Sequence, residues 1–151
     1  LKKMTIALSK AQDGVALAAP QIGLPLRIFI VYKIYTDQKT MQKMAEKEKK
    51  AGKKLSPAEF GFDVFINPKI TKISKKKQAV KEGCLSVIGV FGAMQRAEKV
   101  TVEAYNEKGE KFSRGASGLR AQIIQHEMDH LNGILFIDTA TNLEKLENIK
   151  K

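Results

Sequence analysis

The chain has only two histidines, and both fall in HEMDH at 126–130. On a helix, positions i and i+4 lie one above the other, so His126 and His130 can project from one face and share a metal ion. Glu127 stands beside His126, close enough to exchange protons with a water there without being a ligand itself. The chemistry predicted is metal-assisted hydrolysis, with Glu127 moving the protons. Two imidazoles leave such a metal short of protein ligands, because catalytic sites of the zinc type usually combine three with one open position. Cys84, in EGCLS at 82–86, and the carboxylates of Glu82, Asp129 and Asp138 are the candidates for the third. A thiolate is a strong ligand that a metal deprotonates, which gives Cys84 a modest preference. Asp129 is at i+3 from His126 and points partly away, a better place from which to orient a ligand.

A helix must exist for that spacing to count. Ser117 is the expected N-cap of one running to about Asn132, with Gly133 where a left-handed C-terminal cap belongs. Leu119, Ile123, His126, Glu127 and His130 then share a side, continuous with the stripe that faces the core. Upstream, residues 1–12 read as an amphipathic helix stopped at Asp13-Gly14. GVALAAPQIG at 14–23 reads as a short extended segment followed by a bend at Pro20. Leu26 to Tyr32 is a strand pattern, and Phe62 to Asn67 is another, interrupted by Pro68, with Ile70 and Ile73 expected to continue into a further strand. Lys75 to Lys77 is an expected turn. Val100, Val102 and Ala104 alternate with polar neighbours, residues 107–110 form a hairpin turn, and 111–115 is the return strand. Ile134 to Ile137 is expected as short strand or coil, and Leu143 to Ile149 as a closing helix.

Residues 36–61 differ from the rest, being rich in Lys, Glu and Gln. Helix is expected over 38–51, ended by Gly52, on a surface insertion into a single catalytic domain spanning 1–151. The predicted class is α+β, with antiparallel β-sheets packed around a central helix that carries HEMDH.

Composition narrows the function classes. An apolar share of 43% in 151 residues suits one folded domain and argues against wholesale disorder. No apolar run approaches membrane-spanning length. One cysteine excludes an internal disulfide and makes a reducing cytosol the easier setting. The net charge of +11 permits attraction to RNA, though no pattern interleaves aromatic and basic residues to stack bases.

EGCLS at 82–86, QHEMDHLNG at 125–133 and GVALAAPQ at 14–21 together resemble the motifs of the peptide deformylase family, in that family's order. The likeness extends through PQIG, FINPKI, RAEKVTVEAYNEKG and GILFID, most of the chain outside 36–61. The resemblance implies removal of the formyl group from the N-terminal formylmethionine of new proteins, with release of formate. It implies Fe²⁺, replaceable by Zn²⁺, Ni²⁺ or Co²⁺, held by Cys84, His126 and His130. Glu127 would serve as base and then acid, with the Gln21 amide and the Leu85 backbone N–H as oxyanion donors. Glu82 and Arg96 match a pair that braces the cysteine loop. Gly14, Val15, Ala16, Gly83, Leu119 and Ile123 are the expected substrate-binding residues. Expected partners are N-formylmethionyl nascent peptides and, through the basic surface, the ribosome, for a monomer located in the cytoplasm or an organelle, away from membranes. Ala16 departs from the family's usual glycine and would narrow the entrance. Ile88 stands where proline is common, and Arg120 and Gln122 stand where apolar residues are.

Overall fold

Both faces of the strand Ile28–Tyr32 are buried, which is why Leu26–Tyr32 reads as a nearly unbroken apolar run. The computed structural model describes residues 1–146. Phe29 and Val31 point to one side and pack with Phe65, Val102 and the helix residues Ile123 and Ile124. Ile30 and Tyr32 point to the other and pack with Met4, Leu8, Leu17 and Val64. Two apolar clusters thus sandwich one sheet, and the helix carrying HEMDH covers the first.

The elements follow in chain order. Helix α1 (Lys2–Lys10) leads to β1 (Ala16–Ala18), a single 3₁₀ turn (Ala19–Ile22) and β2 (Ile28–Tyr32). A short helix α2 (Lys33–Thr36) and α3 (Gln38–Ala51) precede β3 (Phe62–Ile73). Then come β4 (Lys77–Cys84), β5 (Val87–Ala97), β6 (Lys99–Tyr105), β7 (Lys111–Ser117), α4 (Leu119–Leu131) and β8 (Thr141–Lys145). The strands form a five-stranded sheet in the order β1-β2-β3-β6-β7 and a three-stranded sheet β4-β5-β8, with every pairing antiparallel. Helix α4 touches β1, β6 and β7 of the first sheet and β5 of the second, so it is central to both. The class is α+β, as the patterning predicts.

Several local expectations need correction. The first helix stops at Lys10 rather than at Asp13-Gly14, and the residue with positive φ in the following turn is Asp13, at 61°, not Gly14. Gly14 is instead close-packed, since a Cβ there would lie 2.8 Å from Leu8 Cδ1. Pro68 does not end β3. A bulge between Ile66 and Lys69, with Asn67 at φ 48°, carries the strand past a residue that has no N–H to give. Ser117 is the last residue of β7, and Gly118 caps α4 at φ 57°, ψ −134°, a conformation open to glycine at little cost. Ile134–Ile137 overlaps a 3₁₀ turn over Phe136–Asp138. Leu143–Lys145 belongs to strand β8 rather than a helix, and the remainder of that expected helix, 147–149, lies outside the described residues.

The long hairpin β4–β5 was not legible as strand. Its inward positions on β4 include Gln78 and Glu82, so the period-two alternation carries polar side chains where an apolar stripe is looked for. By contrast α3 forms with the expected limits, capped by Asp37, whose side chain accepts from Thr40 N, and stopped by Gly52 at φ 63°. No helix among the described residues is long and apolar enough to cross a membrane.

Candidate metal centre

Cys84 ends β4 at the point where the hairpin pinches, pairing with Val87 after a register shift. Gly83 precedes it, and only glycine suits that position. A Cβ there would lie 2.6 Å from the ring of Phe91 on β5, well inside contact distance. The Cys84 thiol faces α4. There, Cys84 Sγ lies 3.1 Å from His130 Nε2, and His130 Nε2 lies 3.1 Å from His126 Nε2. The three donor atoms lie within 4.8 Å of one another, a grouping that could hold one metal ion. Neither Asp129 nor Asp138 joins it: Asp129 binds Arg96, and Asp138 accepts from Leu135 N.

A chain of charged contacts stands behind the histidines. Glu82 Oε2 is 2.9 Å from His126 Nδ1. Arg96 donates to the same carboxylate through Nε and Nη2, both at 2.8 Å, and through Nη1 to Asp129 Oδ2 at 2.7 Å. Burial pushes the Glu82 carboxyl upward, but its hydrogen bonds with Arg96 and His126 outweigh that and hold it at about 2. An ionised carboxylate only accepts, so Nδ1 of His126 carries the proton and donates. That orientation directs Nε2 toward Cys84 and His130.

Burial likewise pushes the Cys84 thiol up, yet contacts with His126, His130 and the Ser86 N–H prevail and bring it down to about 5. Burial lowers His126, but Cys84, Glu82 and the charge of Glu127 raise it to about 10. Glu127 behaves differently. Its burial is nearly complete, and desolvation pushes its carboxyl up to about 7 against the pull of the two histidines. Among the described residues, its Oε2 is buried with no hydrogen-bond partner. A buried polar atom without a partner is uncommon and costly unless something further occupies the site.

Gln21 comes from the turn after β1. Its Oε1 accepts from Ala18 N at 2.8 Å, which fixes the amide and turns Nε2 toward Cys84 Sγ at 3.6 Å and Ser86 Oγ at 3.0 Å. Leu85 is partly buried against the α1-side cluster. Ile123 and Ala16 are buried in one cluster, and Val15 packs against that cluster. Leu119, however, is 55% exposed at the start of α4, so it does not continue the core-facing stripe. Arg120 lies off the centre, while the side chain of Gln122 donates to Lys81 O at 3.1 Å and ties α4 to β4.

Two residues that position the site were missed in the sequence. Ser86 holds both the cysteine sulfur and the Gln21 amide. Gln125 is buried and grips the backbone of Ala97, accepting from its N–H at 3.0 Å and donating to its C=O at 3.0 Å. It clips α4 to β5 next to Arg96. A polar residue immediately before His126, on the buried side of an amphipathic helix, was the available signal.

Comparisons with known proteins agree with this geometry. A family model described as polypeptide deformylase matches residues 1–146. A peptide deformylase of Borreliella burgdorferi is 42% identical over 147 residues, covering 97% of this chain and 73% of the relative. The structure of a peptide deformylase from Legionella pneumophila superposes with a TM-score of 0.72 at 33% identity, over 93% of this chain and 69% of that one. That of a Synechococcus elongatus peptide deformylase, solved in complex with actinonin, gives 0.65 at 36% identity, over 86% of this chain and 58% of that one.

Proposed function

The chain belongs to the polypeptide deformylase family, and from that premise we propose that it hydrolyses the formyl group from the N-terminal formylmethionine of newly made proteins. The observation that carries this reading is the grouping of Cys84, His126 and His130, with the buried carboxylate of Glu127 next to His126 on the same helix and, among the described residues, without a hydrogen-bond partner at Oε2. One thiolate and two imidazoles suit a transition metal, and the low-lying Cys84 thiol is already disposed to be a thiolate. The donor set therefore fits a transition metal, and the ion we propose is Fe²⁺, with Zn²⁺, Ni²⁺ or Co²⁺ able to replace it.

Cys84, His126 and His130 would hold that ion, the two imidazoles as neutral ligands and the cysteine as thiolate. When bound, it supplies Lewis acidity that polarises the formyl carbonyl and makes water a nucleophile near neutral pH. Glu127 accepts the proton of the attacking water. The oxyanion that develops on the formyl oxygen takes hydrogen bonds from Gln21 Nε2 and the Leu85 N–H. As the C–N bond breaks, Glu127 returns the proton to the methionine nitrogen, leaving formate and a free amine. Glu82, braced by Arg96, keeps His126 in the right tautomer. Gly14, Val15, Ala16, Gly83, Leu119 and Ile123 line the approach for the methionine and the backbone behind it.

Residues 1–151 act as one monomeric catalytic domain, with 36–61 as a surface insertion, in the bacterial cytosol or an organelle. The net charge of +11 favours association with the ribosome, where the substrate emerges. The test is formate release from a formyl-Met peptide by Fe²⁺-loaded protein under anaerobic conditions. An intact, loaded protein that releases none overturns the reading.

A further inference from the structure

Helix α3 and the residues after it hold seven lysines and three carboxylates between 37 and 54, a net +4 of the chain's +11. Lys39, Lys43, Lys47 and Lys50 are all exposed, and their spacing of 4, 4 and 3 puts them on one helix face. At 1.5 Å per residue, that stripe is about 16 Å long. Its steps are comparable to the separation of successive phosphates along a nucleic-acid strand.

Two of the three carboxylates in the segment are engaged in holding the helix. Asp37 caps it, and Glu48 Oε1 accepts from Leu55 N at 2.9 Å. Among the described residues, no lysine of α3 has a carboxylate within ion-pair distance. Only Lys47 has a cation contact, with its Nζ 5.5 Å from the Phe60 ring centroid. Among the described residues, the stripe is therefore a set of cations with no carboxylate paired to them.

We propose that this lysine face of α3 docks on the phosphate backbone of duplex ribosomal RNA. Charge complementarity and periodicity favour a polyanion with regular spacing. Residues 37–59 contain no aromatic side chain, and the one aromatic ring beside the stripe, Phe60, is half-buried against the α1-side cluster with Lys47 over it, so single-stranded bases find no open row of rings to stack on. The helix is poorly suited to a bilayer, since Met44, Thr40 and Glu48 are its less exposed residues and Met44 is already packed against the α1-side cluster. Choosing ribosomal RNA as the source rests on the nascent-chain substrate read above; the duplex-binding face rests on α3 alone.

The test is fluorescence anisotropy of a labelled, mixed-sequence RNA duplex with the metal-loaded protein, across about 50 to about 200 mM salt. The combined variant Lys39→Gln, Lys43→Gln, Lys47→Gln, Lys50→Gln is expected to bind roughly tenfold or more weakly, with the slope of log K against log salt reduced by about 3 to 4. A control with the same charge change elsewhere, Lys2→Gln, Lys3→Gln, Lys10→Gln, Lys75→Gln, is expected to keep most of both. Amine modification of the wild-type protein gives a reading that needs no variant: RNA should protect the α3 lysines. Unlabelled ribosomes should compete for the labelled duplex.

Unchanged binding and slope in the α3 variant would overturn the proposal. So would an equal loss in the control, no protection of the α3 lysines, failure of ribosomes to compete, or capture by anionic vesicles in preference to RNA. Formate release is measured separately, so a negative result here leaves the deformylase reading standing, and the reverse also holds.

Discussion

Glu82 Oε2 lies 2.9 Å from His126 Nδ1, although the two residues are 44 positions apart in the chain and belong to different elements. The same carboxylate is gripped by Arg96, which also reaches Asp129 one turn along α4. The strand that ends in Cys84 is thereby locked to the helix that carries both histidines.

Glu82→Gln should weaken metal binding by roughly ten- to a hundredfold, measured by competition with a chelator. It should also change the acid limb of stability in the metal-free protein. Because the folded-state carboxyl is held at about 2, below the ordinary 4.5, its contribution is complete above 4.5 and fades as pH falls toward 2. The variant should lack that limb in urea titrations run across this window. An unchanged metal affinity would mean that Glu82 does not orient His126.

Glu127→Gln should lower kcat by roughly 10² to 10⁴ while metal content stays unchanged. Linkage runs the opposite way here. Desolvation raises the folded-state carboxyl from 4.5 to about 7, so the folded chain binds more protons in that interval. The metal-free wild type should lose this contribution to stability as pH rises through 4.5 to 7, and the variant should not. Unfolding midpoints of both proteins at a series of pH values check the sign.

Gly83→Ala should disturb the metal centre without touching a ligand, because its methyl group would meet the Phe91 ring at 2.6 Å. Metal affinity should fall, and trimming the ring with Phe91→Leu should restore part of it. The double-mutant cycle is the measurement, and strict additivity of the two effects would contradict the steric account.

Gln21→Ala should cost roughly 10² to 10³ in kcat, the range seen for loss of one oxyanion donor. Ser86→Ala should cost less, since it removes the 3.0 Å acceptor that holds the Gln21 amide and leaves the amide itself in place. Steady-state rates on a formyl-Met peptide separate the two, and a larger loss for Ser86→Ala would reverse their roles.

Much of the site was readable in the chain because it is local. The i, i+4 spacing places His126 and His130 on one face whatever surrounds the helix, and Glu127 follows by adjacency. The limits of α3 were equally legible, since its run of helix-forming residues and its glycine stop are local signals. The third ligand was not legible in this way. Spacing left Cys84, Glu82, Asp129 and Asp138 as alternatives, and motif likeness pointed to Cys84. Bringing Cys84 to 3.1 Å from His130 depends on β4–β5, whose polar inward positions hid its strand character. The wrong cap residue for α4 has a related cause: a serine N-cap is a propensity, while the strand-to-helix corner demands a positive φ that Gly118 supplies. The sequence by itself determined which side chains could do the chemistry and which of them share a helix. The tertiary structure decided which carboxylate was used for support, which was left buried and unpartnered, and which sulfur met the histidines. Those outcomes depend on contacts between distant segments, and no local periodicity encodes them.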